Sequence, residues 1–155
     1  MTLAIDPSAL IARYVPGPER TLVNTAMADD PVWCASDLAR TEVMIALHRV
    51  AGAEVLANEL WAAARADLDA FVLVPVDERC IARATELGAT YGLRTVDAIH
   101  LAAADRLPRP LNYLTLDGHQ IPAAAALGFD LVAPRVDDRP RAGGTRVGGY
   151  RPTSR

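Results

Sequence analysis

At 155 residues, 51% of them hydrophobic, the chain has the length and apolar content of one globular domain with a proper core. Its formal net charge of −3 argues against holding nucleic acid by bulk charge, and no apolar run is long enough to span a bilayer. Asp6 and Pro7 interrupt the only N-terminal segment that could serve as a secretory leader, so a soluble cytoplasmic protein, without a membrane partner, is the expectation.

In chain order, short apolar runs alternate with longer amphipathic ones. Strands are expected at Thr2 to Asp6, Val32 to Ala35, Phe71 to Val76, Leu111 to Leu116 and, more weakly, Asp130 to Val132. Helices are expected at Ser8 to Val15, Glu19 to Met27, Ser36 to Val50, Glu54 to Asp69, Asp77 to Tyr91, Val96 to Leu107 and His119 to Leu127, with Gly92 and Gly128 as stops. This alternation predicts an α/β fold with a short, mostly parallel sheet covered by helices on both faces. Cys34 and Cys80 lie in or beside apolar stretches without metal-ligand spacing and read as buried thiols. The first 134 residues form the domain. All 16 basic residues are arginine, and six of them fall after Pro134 in a stretch rich in Pro and Gly. Residues 135–155 therefore read as a disordered basic tail.

Four acids carry the chemical signal. Asp6 ends the first strand and precedes a helix; Asp117 repeats that placement after LNYLTL; Asp97 falls in the first turn of a helix whose expected N-cap is Thr95. In parallel sheets ligands bind at the carboxyl ends of strands, yet each of these acids would also serve as a helix cap or a dipole-stabilising charge. Glu42 is harder to dismiss, because a helical projection sets it among Leu38, Ile45 and Ala46. Burying it alone is costly, so it needs a ligand or an ion-pair partner, for which Arg49 is the candidate. If the four acids converge, two carboxylates ~4 Å apart at an effective dielectric of about 20 repel by roughly 4 kcal/mol. Protons or a cation must then relieve them, and an all-oxygen site selects a hard ion, Mg²⁺ or Mn²⁺. His48, His100 and His119 share no register, and His100 reads as a packed or hydrogen-bonded structural residue.

The segments TLAIDPSALIARY, SDLARTEVMIALHR, YGLRTVDAIHLAAA and NYLTLDGHQIPAAAALG, in this order, resemble PIN-domain ribonucleases of the VapC toxin type over roughly residues 2 to 133. The resemblance implies a PIN-like three-layer α/β/α fold and a metal-dependent endoribonuclease of a toxin–antitoxin pair. It matches Asp6, Glu42, Asp97 and Asp117 to the family's catalytic and metal-binding acids, and Ser8 and Thr115 to auxiliary hydroxyls. Pro7 departs from the family pattern, which usually has Thr or Ser there. The implied chemistry is Mg²⁺- or Mn²⁺-assisted attack of water on RNA, leaving a 5′-phosphate and a 3′-hydroxyl. Arg13, Arg40 and Arg94 are the basic residues nearest the motifs and are candidate RNA contacts, although each also fits a solvated or ion-paired surface residue. Implied partners are RNA, a VapB-like antitoxin covering the pocket and a second copy in a homodimer. Leu56, Leu60 and Trp61 supply apolar surface for an interface, with core packing as the simpler use.

Rival readings are a non-catalytic PIN-like binding module, in which the acids are only caps and ion pairs, and a haloacid-dehalogenase-type phosphatase. The latter wants a second Asp two residues after the first, where this chain has Ser8. A Rossmann dinucleotide domain is weaker still, because AGGTRVGGY has no strand before it.

Overall fold

Along the first strand Leu3 and Ile5 pack on one side and Ala4 on the other; along the fourth, Leu111 and Tyr113 face away from Leu114. This period-2 alternation, apolar on both faces, belongs to a sheet buried between two helical layers. A computed structural model describes residues 1–134, and the tail expected to be disordered lies outside the described residues.

The elements are β1 (Thr2–Ile5), α1 (Pro7–Tyr14), α2 (Arg20–Asp29), β2 (Val32–Ser36), α3 (Asp37–Ala51), α4 (Glu54–Leu68), β3 (Val72–Val74), α5 (Glu78–Tyr91), α6 (Thr95–Asp105), β4 (Leu111–Leu114), α7 (Ile121–Ala126) and β5 (Asp130–Val132). The five strands are ordered β3-β2-β1-β4-β5, and all four pairings are parallel. The expected three-layer α/β/α fold is the observed one. One core joins β1, β2 and β4 to α1–α4 through Leu10, Val43, Leu47 and Leu68; the other joins the opposite face to α5–α7 through Leu87, Leu101 and Ala124.

The strand order decides where a ligand can bind. The chain builds β1, β2 and β3 outward in one direction, then returns to lay β4 on the other side of β1. The connections leaving the carboxyl ends of β1 and β4 therefore diverge to opposite faces, and a crevice opens between them. Asp6 follows β1, and Thr115 and Asp117 follow β4.

Several boundaries differ from expectation for local reasons. β3 stops at Val74 because Pro75 has no N–H to continue the ladder. The last helix starts at Ile121, not His119: residues 118–120 form a turn in which the Asp117 carboxylate accepts from the His119 N–H at 2.9 Å. Thr95 is not an N-cap: α6 begins at Thr95 itself, with Arg94 extended (φ −64°, ψ 152°) in the capping position. Ser36 ends β2 and caps α3 by backbone only, since its hydroxyl is engaged elsewhere. The turn that delivers Arg94 depends on Gly92, whose φ of +65° lies in the left-handed region that an L side chain enters at a cost.

Candidate active site

Asp6 is the N-cap of α1. Its Oδ2 accepts from the Ser8 N–H (3.1 Å), from the Ser8 hydroxyl and, at 3.4 Å, from the Thr115 hydroxyl. Pro7 occupies the first helical position, where the missing N–H has no intrahelical partner in any case, so the departure from the family pattern costs no helix hydrogen bond. Capping and site-building are thus not alternatives here. A 3% exposed carboxylate caps a helix and faces the crevice with the same group. Ser8 also ties the two strand ends together, since its Oγ accepts from the Leu116 N–H (3.1 Å) while it donates to Asp6. Thr115, wholly buried, accepts from the Asp117 N–H at 3.1 Å and shapes the turn after β4.

Asp97 stands in the first turn of α6, 6% exposed, and Asp117 lies across from it. Two donors link the three aspartates into one network. From inside, the Gln120 amide donates to Asp6 Oδ1 (2.9 Å) and to Asp97 Oδ1 (3.2 Å). From the solvent side, Arg94 places Nε on Asp97 Oδ2 at 2.7 Å and Nη2 on Asp117 Oδ2 at 2.9 Å. Arg94 is exposed, with a side chain 77% accessible against 9% and 17% for the two aspartates.

The electrostatics follow from these contacts. Burial works against the charge on Asp117, but hydrogen bonds from the His119 backbone and ring, together with the charges of His119 and Arg94, outweigh it and hold its carboxyl below the ordinary range. Bonding to Asp97, then the charges of Asp97 and Asp117, push Arg94 further up. Tyr113, beneath the acids, is driven well above the ordinary tyrosine value by burial first and by the charges of Asp6, Asp97 and Asp117 second, so it remains a neutral donor.

Glu42 is arranged differently from the expectation. It is half-buried on the flank of α3 rather than within an apolar stripe; Ile45 is exposed, and the buried face of the helix runs through Ala39, Val43 and Leu47. Its partner is not Arg49 but His100, whose Nε2 lies 2.5 Å from Glu42 Oε1. His100 Nδ1 meets the Ser36 hydroxyl at 2.8 Å. In the tautomer whose Nε2–H donates to the carboxylate, Nδ1 accepts from the Ser36 hydroxyl. His100 lies one helical turn beyond Asp97, so this clamp ties Glu42 to the helix that carries the aspartate.

The three candidate RNA-contacting arginines part company. Arg94 belongs to the acidic network. Arg13, two turns along α1 from Asp6, pairs with Asp67 at 2.7 Å and donates to Asn24 at 2.9 Å, joining α1, α2 and α4. Arg40 pairs with Asp69 at 3.2 Å between exposed side chains. Gln120, Tyr113, His100 and Ser36 complete the surroundings of the acids. Of these only His100 carried a sequence signal, its i+3 spacing from Asp97.

A model of the PIN domain family matches residues 3–132. The chain belongs to the PIN domain family. It is 37% identical over 137 residues to Ribonuclease VapC46 of Mycobacterium tuberculosis, an alignment covering 84% of this chain and 95% of that protein. Among solved structures, a toxin–antitoxin complex from Klebsiella pneumoniae superposes with a TM-score of 0.57 at 20% identity, covering 74% of this chain and 86% of the matched one, a likeness of fold. In a PIN domain of this topology the crevice beyond β1 and β4 is the candidate site.

The donor chemistry fits a hard divalent ion: carboxylate oxygens alone, linked partly through a cation, as expected where negative charges must be compensated. As the side chains are placed, no three acids among the described residues stand together as a ready metal-binding group. The geometry gives the reason, since the Arg94 guanidinium lies between Asp97 and Asp117.

Proposed function

We propose that this PIN domain is a Mg²⁺- or Mn²⁺-dependent endoribonuclease acting as the toxin of a toxin–antitoxin pair, hydrolysing RNA to 5′-phosphate and 3′-hydroxyl ends. The observation that carries the reading is the linking of Asp6, Asp97 and Asp117, distant in sequence, by one buried amide and one exposed guanidinium at the sheet's switch point. In this reading the three aspartates hold the cation, and Glu42, tethered to α6 by His100, completes the acidic quartet. The chemistry such an ion supplies is polarisation of a phosphate oxygen and acidification of a water. Ser8 and Thr115 orient Asp6 through hydrogen bonds to its Oδ2. Arg94 has two roles: it compensates Asp97 and Asp117 before loading, then swings out to meet an RNA phosphate at the rim. Arg13 and Arg40, spent on ion pairs with Asp67 and Asp69, rank behind it.

A toxin partner surface has support on α3 and α4. Ile45, Val55 and Leu56 are exposed, and a groove of about 500 Å³ runs beside Met44, Ile45 and Trp61. An antitoxin and a second copy of the chain are the occupants this reading names. Trp61 itself is partly buried against the core, with its Nε1 donating to Met44 O at 2.8 Å. No helix among the described residues is long and apolar enough to cross a membrane, and the reading places the protein in the cytoplasm.

The acids' existing partners favour one other reading, a binding module that does no chemistry. The two separate in one experiment. The nuclease cleaves single-stranded or loop RNA only with Mg²⁺ or Mn²⁺ and loses all cleavage in Asp97→Ala with its circular dichroism unchanged. Cleavage in EDTA, or full activity in Asp97→Ala, refutes the nuclease.

A further inference from the structure

Gln120 enters the reading above only as a link between Asp6 and Asp97, yet all of its amide's donors and its acceptor are engaged in the pocket. It is 1% exposed, and its Oε1 accepts from the hydroxyl of Tyr113, itself 1% exposed, at 2.6 Å. Carboxylate oxygens only accept, whereas the Tyr113 hydroxyl can donate to Gln120 Oε1. That settles the orientation of the amide. Its nitrogen must face the acids, and its two hydrogens go to Asp6 and Asp97.

The lone pairs show what is left for a cation. Asp6 Oδ2 is taken by three donors from Ser8 and Thr115, and Asp6 Oδ1 by Gln120. Asp97 Oδ1 receives Gln120 and, more distantly at 3.4 Å, Arg94; Asp97 Oδ2 and Asp117 Oδ2 receive Arg94. The donors to Asp6 come from groups packed into the fold. Two groups reach the network from solvent: Arg94, and His119, whose backbone N–H and ring both meet Asp117 Oδ1; Arg94, with a side chain 77% accessible, is free to swing away. Once it leaves, Asp97 Oδ2 and Asp117 Oδ2 are freed on its side, while Oδ1 of both Asp6 and Asp97 stays held on the inner side by the amide.

We propose that Gln120 is a positioning residue whose Tyr113-locked amide closes the inner face of Asp6 and Asp97 and confines the pocket to a single divalent ion on the Arg94 side. The inference rests on the pocket being a cation site, and the test reads metal binding without RNA. Mn²⁺ is titrated into the full chain by calorimetry and by electron paramagnetic resonance. The wild type takes one Mn²⁺. Gln120→Leu, which keeps the bulk and removes the donor, still takes one but binds it about 10-fold more weakly, the usual effect of losing a group that orients a ligand. Gln120→Glu, which replaces the donor with an acceptor, takes two. Two ions on the wild type, or both folded variants behaving as wild type, overturn the proposal and leave the nuclease reading standing. If neither variant folds by near-ultraviolet circular dichroism, Tyr113→Phe decides: about 10-fold weaker Mn²⁺ binding supports the proposal and unchanged binding overturns it. No saturable Mn²⁺ on the wild type ends both.

Discussion

Replacing His100 by Leu tests whether the clamp between Ser36 and Glu42 is a structural unit with a functional end. The two side chains have similar volume, so packing is largely kept and two hydrogen bonds are lost. The losses are unequal. Glu42 is 34% exposed and exchanges its partner for water, whereas Ser36, 3% exposed, is left with a buried hydroxyl that has no partner. Stranding that group costs about 1–3 kcal/mol, so we expect a loss of about 2 kcal/mol in all. At an m-value of about 2 kcal/mol/M this moves the urea midpoint down by about 1 M. Adding Ser36→Ala removes the stranded hydroxyl and recovers most of the loss, because deleting both partners of a buried hydrogen bond is nearly neutral. The double variant also separates stability from function. With the stranded hydroxyl gone and Glu42 still untethered, it is expected to unfold close to wild type yet cleave RNA more slowly. A double variant no more stable than His100→Leu alone refutes the hydrogen-bond account of this site.

Arg94→Gln removes the cation that competes for Asp97 and Asp117. Tighter Mn²⁺ binding is expected by calorimetry, together with weaker RNA binding whose log–log salt slope is shallower by about 0.7, the value for one phosphate contact on a single strand; looser Mn²⁺ binding contradicts the competition. Gly92→Ala forces an L residue to φ +65°, where its Cβ meets nothing within 4 Å, so the cost is conformational alone, about 1–2 kcal/mol in urea unfolding; a neutral result shows the turn has relaxed. Asp77 caps α5, and the Cys80 N–H first, then Arg106, hold its pKa below the ordinary carboxylate value. Its contribution is therefore complete above about pH 4 and disappears as the pH falls through its lower folded pKa. The stability gap between wild type and Asp77→Ala, followed by urea titration, should close on acidification; a gap that widens reverses the sign of this reasoning.

The alternation of apolar period was enough to read the five strands, the seven helices and the layered α/β class, because burial on both sheet faces leaves uninterrupted apolar runs that local sequence displays directly. The acids were legible as well, since a strand end or a helix start marks Asp6, Asp97 and Asp117 by position alone. What sequence did not carry were the relations between side chains. Glu42 looked buried on a helical wheel, but which face of α3 packs is decided by α4 and α1, and its partner proved to be His100, 58 residues away. Arg13, Arg40 and Arg94 looked equivalent, and only the folded chain gives two of them to Asp67 and Asp69 and the third to the acidic crevice. Gln120 carries no pattern at all. Its importance comes from the return of β4 to the far side of β1, which sets an amide from one connection between carboxylates from two others. Periodicity is a property of neighbours along the chain and survives in the string of residues. Charge compensation depends on through-space distances of about 3 Å, which exist only once the strand order brings these segments together.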